Sequence, residues 1–254
     1  MEKLNNQRIV ITRSQDDFPA AVEAVRRRGG IPISCPMIEL LDPLDCSDLD
    51  CAINSLRNFN WIFFTSAHSV DFFVKRMVAL SIDKPETLIK HTAVIGSATA
   101  QALAAYGLQA DFVARNSTGV DFFEEFQVKY TVRGSKFLLP LSDIARDSLT
   151  NLLRENGGEV TAVTAYRNKA VDDYPDGMLE YFIRKKIDWV LFFSSSAASN
   201  FARVMRRYPS ITVNFKVASI GPLTSKTLRD NGIEPVVEAK PYSLEGLLDA
   251  ISLI

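Results

Sequence analysis

Trp61–Phe73 reads WIFFTSAHSVDFF, and 128 residues later Trp189–Phe201 reads WVLFFSSSAASNF. Each stretch has a tryptophan, an apolar run, two or more hydroxyl side chains and a mixed segment closing on phenylalanine. A chain that repeats its own design is normally built from two similar units. Other landmarks keep step. Gly29-Gly30 returns as Gly157-Gly158 at the same interval, Gly96 is answered by Gly221, and Gly107 by Gly232.

Working outward from the tryptophans gives four modules. The first, A1, is a strand at RIVITR (8–13), a helix in DDFPAAVEAVRRRGG and an extended run at IPISCPMIEL. Module B1 starts at Trp61: strand, helix through VDFFVKRMVAL, strand TAVIG, helix SATAQALAAYG and strand LQADFVAR. A2 repeats A1 with KFLLPL, ARDSLTNLLRENGG and EVTAVTAYR. B2 repeats B1 with WVLFFSS, ASNFARVMRRY, KVASIG, PLTSKTLRDNG and IEPVVEAK. Helical spacing and Gly stops mark the helices, and Val/Ile/Phe-rich runs mark the strands. Such alternation calls for parallel sheets covered by helices on both faces. One A and one B supply five strands, so two small open sheets account for the chain. The order A1–B1–A2–B2 permits sequential pairing, or nesting of B1 and A2 inside A1 and B2. The tails PMIEL and TAYRN can pair as connecting strands.

Composition narrows the function classes. The chain has 254 residues, 47% apolar and 23% charged, an ordinary globular balance. Lys and Arg total 29 against 30 acidic residues, so no bulk positive field points to nucleic acid or an anionic membrane. Cys35, Cys46 and Cys51 form neither a disulfide framework nor a CxxC motif, which fits a reducing compartment. His68 and His91 are the only histidines, too few for a multi-histidine metal site. No run reaches about 18 apolar residues, and the N-terminus lacks a signal-peptide core. The expectation is a soluble cytoplasmic protein.

In open parallel sheets, ligands bind beyond the carboxyl ends of the strands. Hydroxyls and small residues gather there: Thr12 with Arg13, Thr65 with Ser66, Gly96 with Ser97, and Ser194 with Ser195 and Ser196. In GSATA (96–100) and GPLTS (221–225) a glycine ends a strand and a threonine, Thr99 or Thr224, enters the next helix. Free amides at a helix start attract anions, and a hydroxyl adds a donor. The same pattern also serves plain helix capping, as do Asp16 and Asp17. There is no GxGxxG after the first strand, no GxxxxGK[ST] and no GxSxG elbow with a plausible triad, so the usual nucleotide and hydrolase signatures are missing.

The ordered set VITR, GGIPISCPMIEL, WIFFTSAHSV, AVIGSATAQAL, FLLPLSDIARDSL, GGEVTAVTAYR, WVLFFSSSAASNF, SIGPLTSKTL and YSLEGLLDAI resembles the uroporphyrinogen-III synthase family over nearly the whole chain. The resemblance implies two flavodoxin-like open parallel sheets of α/β type, one domain inserted in the other and joined by a two-strand connector. Residues 1–39 and 168–254 would form the terminal domain and 40–167 the insert. It implies a cofactor-independent lyase that closes linear hydroxymethylbilane with loss of water and inversion of ring D. It also implies a monomer with at most transient contact to the enzyme that supplies the bilane. Tyr166 matches the family segment whose tyrosine faces the cleft and is the expected catalytic residue, an acid toward the departing hydroxyl. Thr12, Arg13, Ser66, Gly96, Thr99, Arg146, Arg167, Ser194, Gly221 and Thr224 are the expected substrate-binding residues. The chain departs from the family pattern at Ser14, His68, Ser195 and Ser225. A noncatalytic module binding a porphyrinoid or other polycarboxylate, and a two-domain nucleotide-sugar enzyme, are the alternative readings.

Overall fold

A computed structural model describes residues 4–15, 17–82, 85–114, 118–145, 147–184, 186–211 and 214–254. Two compact units are present, Met1–Leu40 with Lys169–Ile254, and Leu41–Asn168. In the first lie β1 (Arg8–Ile11), α1 (Phe18–Arg27) and β2 (Ile31–Ser34). The chain returns to it after residue 168 with α7 (Met178–Ile183), β9 (Trp189–Phe192), α8 (Ser195–Met205), β10 (Lys216–Ser219), α9 (Pro222–Asp230), β11 (Val237–Glu238) and α10 (Leu244–Ile251). Between the two passes come β3 (Ile38–Leu41), α2 (Ser47–Asn54), β4 (Trp61–Phe64), α3 (Ala67–Ala79), β5 (His91–Ile95) and α4 (Gly96–Ala105). They are followed by β6 (Phe112–Ala114), α5 (Gly119–Gln127), β7 (Lys136–Ser142), α6 (Ser148–Glu155) and β8 (Glu159–Ala170).

The five-stranded sheet has the order β11-β10-β9-β1-β2, with its strands paired in parallel. Numbered by appearance within the unit, that is 2-1-3-4-5 read from β2, the flavodoxin-like order. The other sheet has the order β3-β8-β7-β4-β5-β6. Its portion β8-β7-β4-β5-β6 is the same spatial arrangement entered at a different point, 5-4-1-2-3 in chain order. The two sheets are thus circular permutations of one plan, with A1 joined to B2 and B1 to A2.

The central strands explain why both faces of each sheet must be covered. All four residues of β4 and of β9 are buried. Side chains alternate across a strand, so Ile62 and Phe64 enter one core and Trp61 and Phe63 the opposite one. In the other unit Val190 and Phe192 oppose Trp189 and Leu191 in the same way. The tryptophans that mark the repeat are core residues at the amino ends of these strands. Each faces the first residue of the next strand in register, His91 for Trp61 and Lys216 for Trp189. The glycine stops close their helices alike: the N–H of Gly30, Leu108, Gly158 and Ile233 donates to the carbonyl five residues earlier, as in a Schellman closure.

Two features differ from the sequence reading. The run IPISCPMIEL is broken at Cys35-Pro36-Met37 into β2 and β3, which belong to different sheets. Pro36 has no N–H to continue a ladder. The strand β8 is twelve residues long. Its first part pairs with β7, and it also neighbours β3, which makes that sheet six-stranded. Helices α2, α5, α7 and α10 lie outside the strand–helix pattern taken from the repeat.

One glycine is fixed by packing. In α10 the N–H of Gly246 donates to the cap Ser243 Oγ at 3.1 Å, and a Cβ at 246 would collide with the Pro241 carbonyl oxygen. Gly246→Ala is expected to cost about 1–3 kcal/mol, as overpacking does, and to lower the thermal unfolding midpoint. An unchanged midpoint would contradict this packing.

Candidate functional site

In a sheet of this order the ligand crevice lies outside the carboxyl ends of the strands where the order reverses. For Leu41–Asn168 those strands are β4 and β7. The turn after β4 brings Ser66 to the start of α3 with extended backbone, and its Oγ accepts the Ser69 N–H at 3.1 Å. Ser69 Oγ returns an acceptor to the Ser66 N–H at 3.3 Å, completing a capping box. The same Ser66 Oγ lies 3.3 Å from the Tyr166 hydroxyl.

Tyr166 reaches that place through a bulge. The register of β7 with β8 runs evenly to Leu141↔Thr164 and then jumps to Ser142↔Tyr166. The extra residue, Ala165, is buried, and so is Tyr166 beside it. A regular strand would send these neighbours to opposite faces; bulges re-aim side chains in this way. The Tyr166 carbonyl accepts the Asp143 N–H at 3.1 Å, fixing the backbone after the bulge. Its ring stacks on Phe72, with centroids 5.3 Å apart and planes 22° apart, and meets His68 near edge-on at 6.1 Å. Arg167 turns away and donates Nε–H to the Asp42 carbonyl at 3.0 Å. Gly96 opens α4 at φ 79°, a left-handed value that favours glycine. Thr99 is buried within that helix.

In the other unit the order reverses between β1 and β9. Thr12 is fully buried there, and both its N–H and its hydroxyl donate to the Leu191 carbonyl, at 3.3 and 2.8 Å. It tightens the end of the ladder and offers no free hydroxyl. Arg13, next to it, places its guanidinium 4.5 Å above the Phe193 ring. Its Nε is buried and, among the described residues, has no hydrogen-bond partner. Ser194 follows Phe193 and caps α8, its Oγ accepting the Ala197 N–H at 3.1 Å. Ser66 and Ser194 are 128 residues apart and do the same local work; only the first belongs to a box, because Ala197 stands where the other unit has Ser69.

The paired glycine turns are not alike. Gly221 has an extended backbone, φ 171°, that any residue adopts, and a Cβ there would come within 3.4 Å of the Tyr242 ring. Thr224 is buried in α9. Ser225 Oγ donates to Glu238 at 2.6 Å and so accepts from Ser219 Oγ at 2.5 Å. Of the expected residues, Ser66 and Tyr166 are thus brought together, Arg13 and Ser194 flank one sheet end, and Arg146 lies outside the described residues, as does Asp16. Phe72, Phe193 and Tyr242 went unread. The signal for Phe72 was its place one helical turn after His68, but the sequence alone does not separate it from Phe73, which enters the core.

Burial pushes the Cys35 thiol up, out of the nucleophilic range. The hydrogen bonds from Arg76, 2.6 Å each from Nε and the terminal nitrogen, hold the Asp50 carboxyl below its usual range. Among the described residues no three His, Cys, Asp or Glu side chains converge as metal ligands, and no helix is long and apolar enough to cross a membrane.

The chain is similar to known proteins over nearly its whole length. The family described as uroporphyrinogen-III synthase HemD matches residues 19–249. The uroporphyrinogen-III synthase of Synechococcus elongatus is 29% identical over 259 aligned positions, covering 98% of this chain and 96% of its own. Among solved structures, the uroporphyrinogen-III synthetase of Helicobacter pylori has a TM-score of 0.61 at 20% identity, covering 98% of this chain and all of its own. A mutant uroporphyrinogen III synthase of Thermus thermophilus has a TM-score of 0.61 at 17% identity, covering 96% of each chain. At these identities the two structures bear on the fold.

The caps can be tested separately from any chemistry. Ser66→Ala and Ser194→Ala should each cost about 0.5–2 kcal/mol, the usual value of a serine cap, and lower the thermal midpoint. Ser194→Thr, which keeps the acceptor oxygen, should retain most of the stability. Alanine variants that melt with the parent would remove the capping role.

Proposed function

The chain belongs to the uroporphyrinogen-III synthase family, and we propose that it closes hydroxymethylbilane into uroporphyrinogen III with loss of water and inversion of ring D. In this reading residues 1–39 and 168–254 act as one domain and 40–167 as the inserted one. The observation that best supports an active enzyme is the Tyr166 arrangement: a bulge, a stacked ring and a capped serine converge on one phenol.

The chemistry asks little of the protein beyond geometry and one proton. Protonation of the hydroxymethyl oxygen breaks the C–O bond, releases water and leaves an azafulvene cation on an electron-rich pyrrole. The substituted carbon of ring D attacks that cation and forms a spiro intermediate. Fragmentation and reclosure turn ring D over, and loss of a proton restores the aromatic pyrrole. The free bilane closes without inversion, so the catalyst must hold the chain in one productive geometry. Tyr166 supplies the proton or hydrogen bond to the departing hydroxyl. Ser66 can donate to the phenol oxygen while its own second acceptor site takes the Ser69 N–H. In that arrangement the phenol proton is left for the substrate.

A polycarboxylate also needs positive charge. Arg13 is suited to one carboxylate, because its Nε has no protein partner among the described residues and its guanidinium is braced on Phe193. Ser66, Gly96, Thr99, Ser194, Gly221 and Thr224 belong to the proposed binding surface through the turns they build. Arg146 and Arg167 complete the proposed set. Thr12 contributes by holding the strand end under Arg13.

Three measurements test the assignment. Freshly prepared hydroxymethylbilane should be consumed faster than its spontaneous closure by protein treated with a chelator and given no cofactor. Binding without faster consumption would favour a polycarboxylate-binding module instead. Tyr166→Phe should lower kcat by up to about 10²-fold, the lower end of general acid catalysis, since the hydroxyl also leaves unaided. A parental rate in a folded Tyr166→Phe protein would remove Tyr166 as the acid. Arg13→Met should raise KM by about tenfold or more, as loss of a charged hydrogen bond does, with kcat less affected; an unchanged KM would remove Arg13 from the binding set.

A further inference from the structure

Tyr166 is gripped by the first turns of one helix, α3. Ser66 meets its hydroxyl, His68 its ring edge and Phe72 its ring face. Residues 68 and 72 are i and i+4 on that helix and so share a face. A hydrogen bond at the hydroxyl alone leaves the ring free to tilt about that contact. The stacked face of Phe72 supplies the second restraint, which fixes the plane.

Phe72 is placed unlike a core residue. Its neighbour Phe73 is fully buried, against Phe64 at 5.5 Å. Phe72 is half-buried and lines a pocket with Ala165, Cys46, Lys75 and Arg76. The Lys75 ammonium lies 5.5 Å over the Phe72 ring, and its charge is met by Asp42 at 3.7 Å. The ring therefore rests between Tyr166, a cation and a pocket. Its specific contact is with the one residue that the bulge at Ala165 re-aims.

We propose that Phe72 is a positioning residue for Tyr166, holding the phenol at the angle at which it donates to the departing hydroxyl, and that it affects turnover only through Tyr166. This rests on the reading of Tyr166 as the acid. Misplacing a reacting group by about 1 Å can cost about 10²-fold in rate. Phe72→Ala is expected to lower kcat by about tenfold, a part of that cost, with little change in KM. Phe72→Trp keeps a stacking face and is expected to keep most of kcat. Phe72→Leu, with bulk but no aromatic face, is expected to resemble the alanine variant.

The deciding experiment is a double-mutant cycle on the full chain with hydroxymethylbilane: parent, Phe72→Ala, Tyr166→Phe and the double variant, each checked for its unfolding midpoint. Residues that act as a unit lose rate non-additively. The loss from Phe72→Ala should be present in the parent and absent in the Tyr166→Phe background. An equal loss in both backgrounds overturns the proposal, because Phe72 would then act by another route. So does a parental kcat in Phe72→Ala or Phe72→Leu. A parental rate in Tyr166→Phe overturns it as well, since no donor would be there to position. A parent protein that leaves the bilane to close at its spontaneous rate overturns the proposed function and this role together, a result distinct from additive losses among active proteins.

Discussion

A serine oxygen accepting the N–H three residues further on ends the central strand of each sheet and starts the helix that covers it. That bond fixes where α3 and α8 begin, and hence which side chains of their first turns face the strand ends. In one unit the capping oxygen also reaches the Tyr166 hydroxyl. In the other the residue before the cap, Phe193, carries the Arg13 guanidinium. The two capping bonds thereby set which side chains meet a phenol in one unit and a guanidinium in the other, and the proposed chemistry uses what the fold already needs.

The permuted strand order accounts for how one plan serves twice. Each sheet needs a central strand buried on both faces, and WIFF and WVLF satisfy that by sending alternate residues into opposite cores. The positions where the order reverses are then equivalent, β4 with β7 and β9 with β1. Their side chains are not. The A2 strand has Pro140 and Leu141 where A1 has Thr12 and Arg13. The glycine turns diverged too: Gly96 is held by its left-handed backbone, whereas Gly221 lies under Tyr242.

Much of the fold was legible because its signals are local. Strand periodicity, glycine helix stops and the repeated hydroxyls need only a few neighbouring residues to be read. The family resemblance was carried by the order of many weak motifs. What escaped depended on register and on which of two like neighbours faces inward. Nothing in TAYR announces a bulge at Ala165, because the jump is defined by pairing with β7. Phe72 and Phe73 are the same residue type side by side, and only the helix phase separates a stacking partner from a core filler. The bond from Thr12 to Leu191, 179 positions away, has no signal in the sequence around either residue. The aromatic GVDFFEEFQ of α5 hid its helical face, although Thr118 caps it through the Asp121 N–H.

In the proposed reaction ring D is turned over before spontaneous closure can occur. This is tested most directly by a single turnover with protein in excess of hydroxymethylbilane, quenched with time, oxidised and resolved into porphyrin isomers. Type III is expected as the predominant product, formed faster than closure without protein. Predominant type I from a verified folded sample, accumulating at the spontaneous rate, would contradict it.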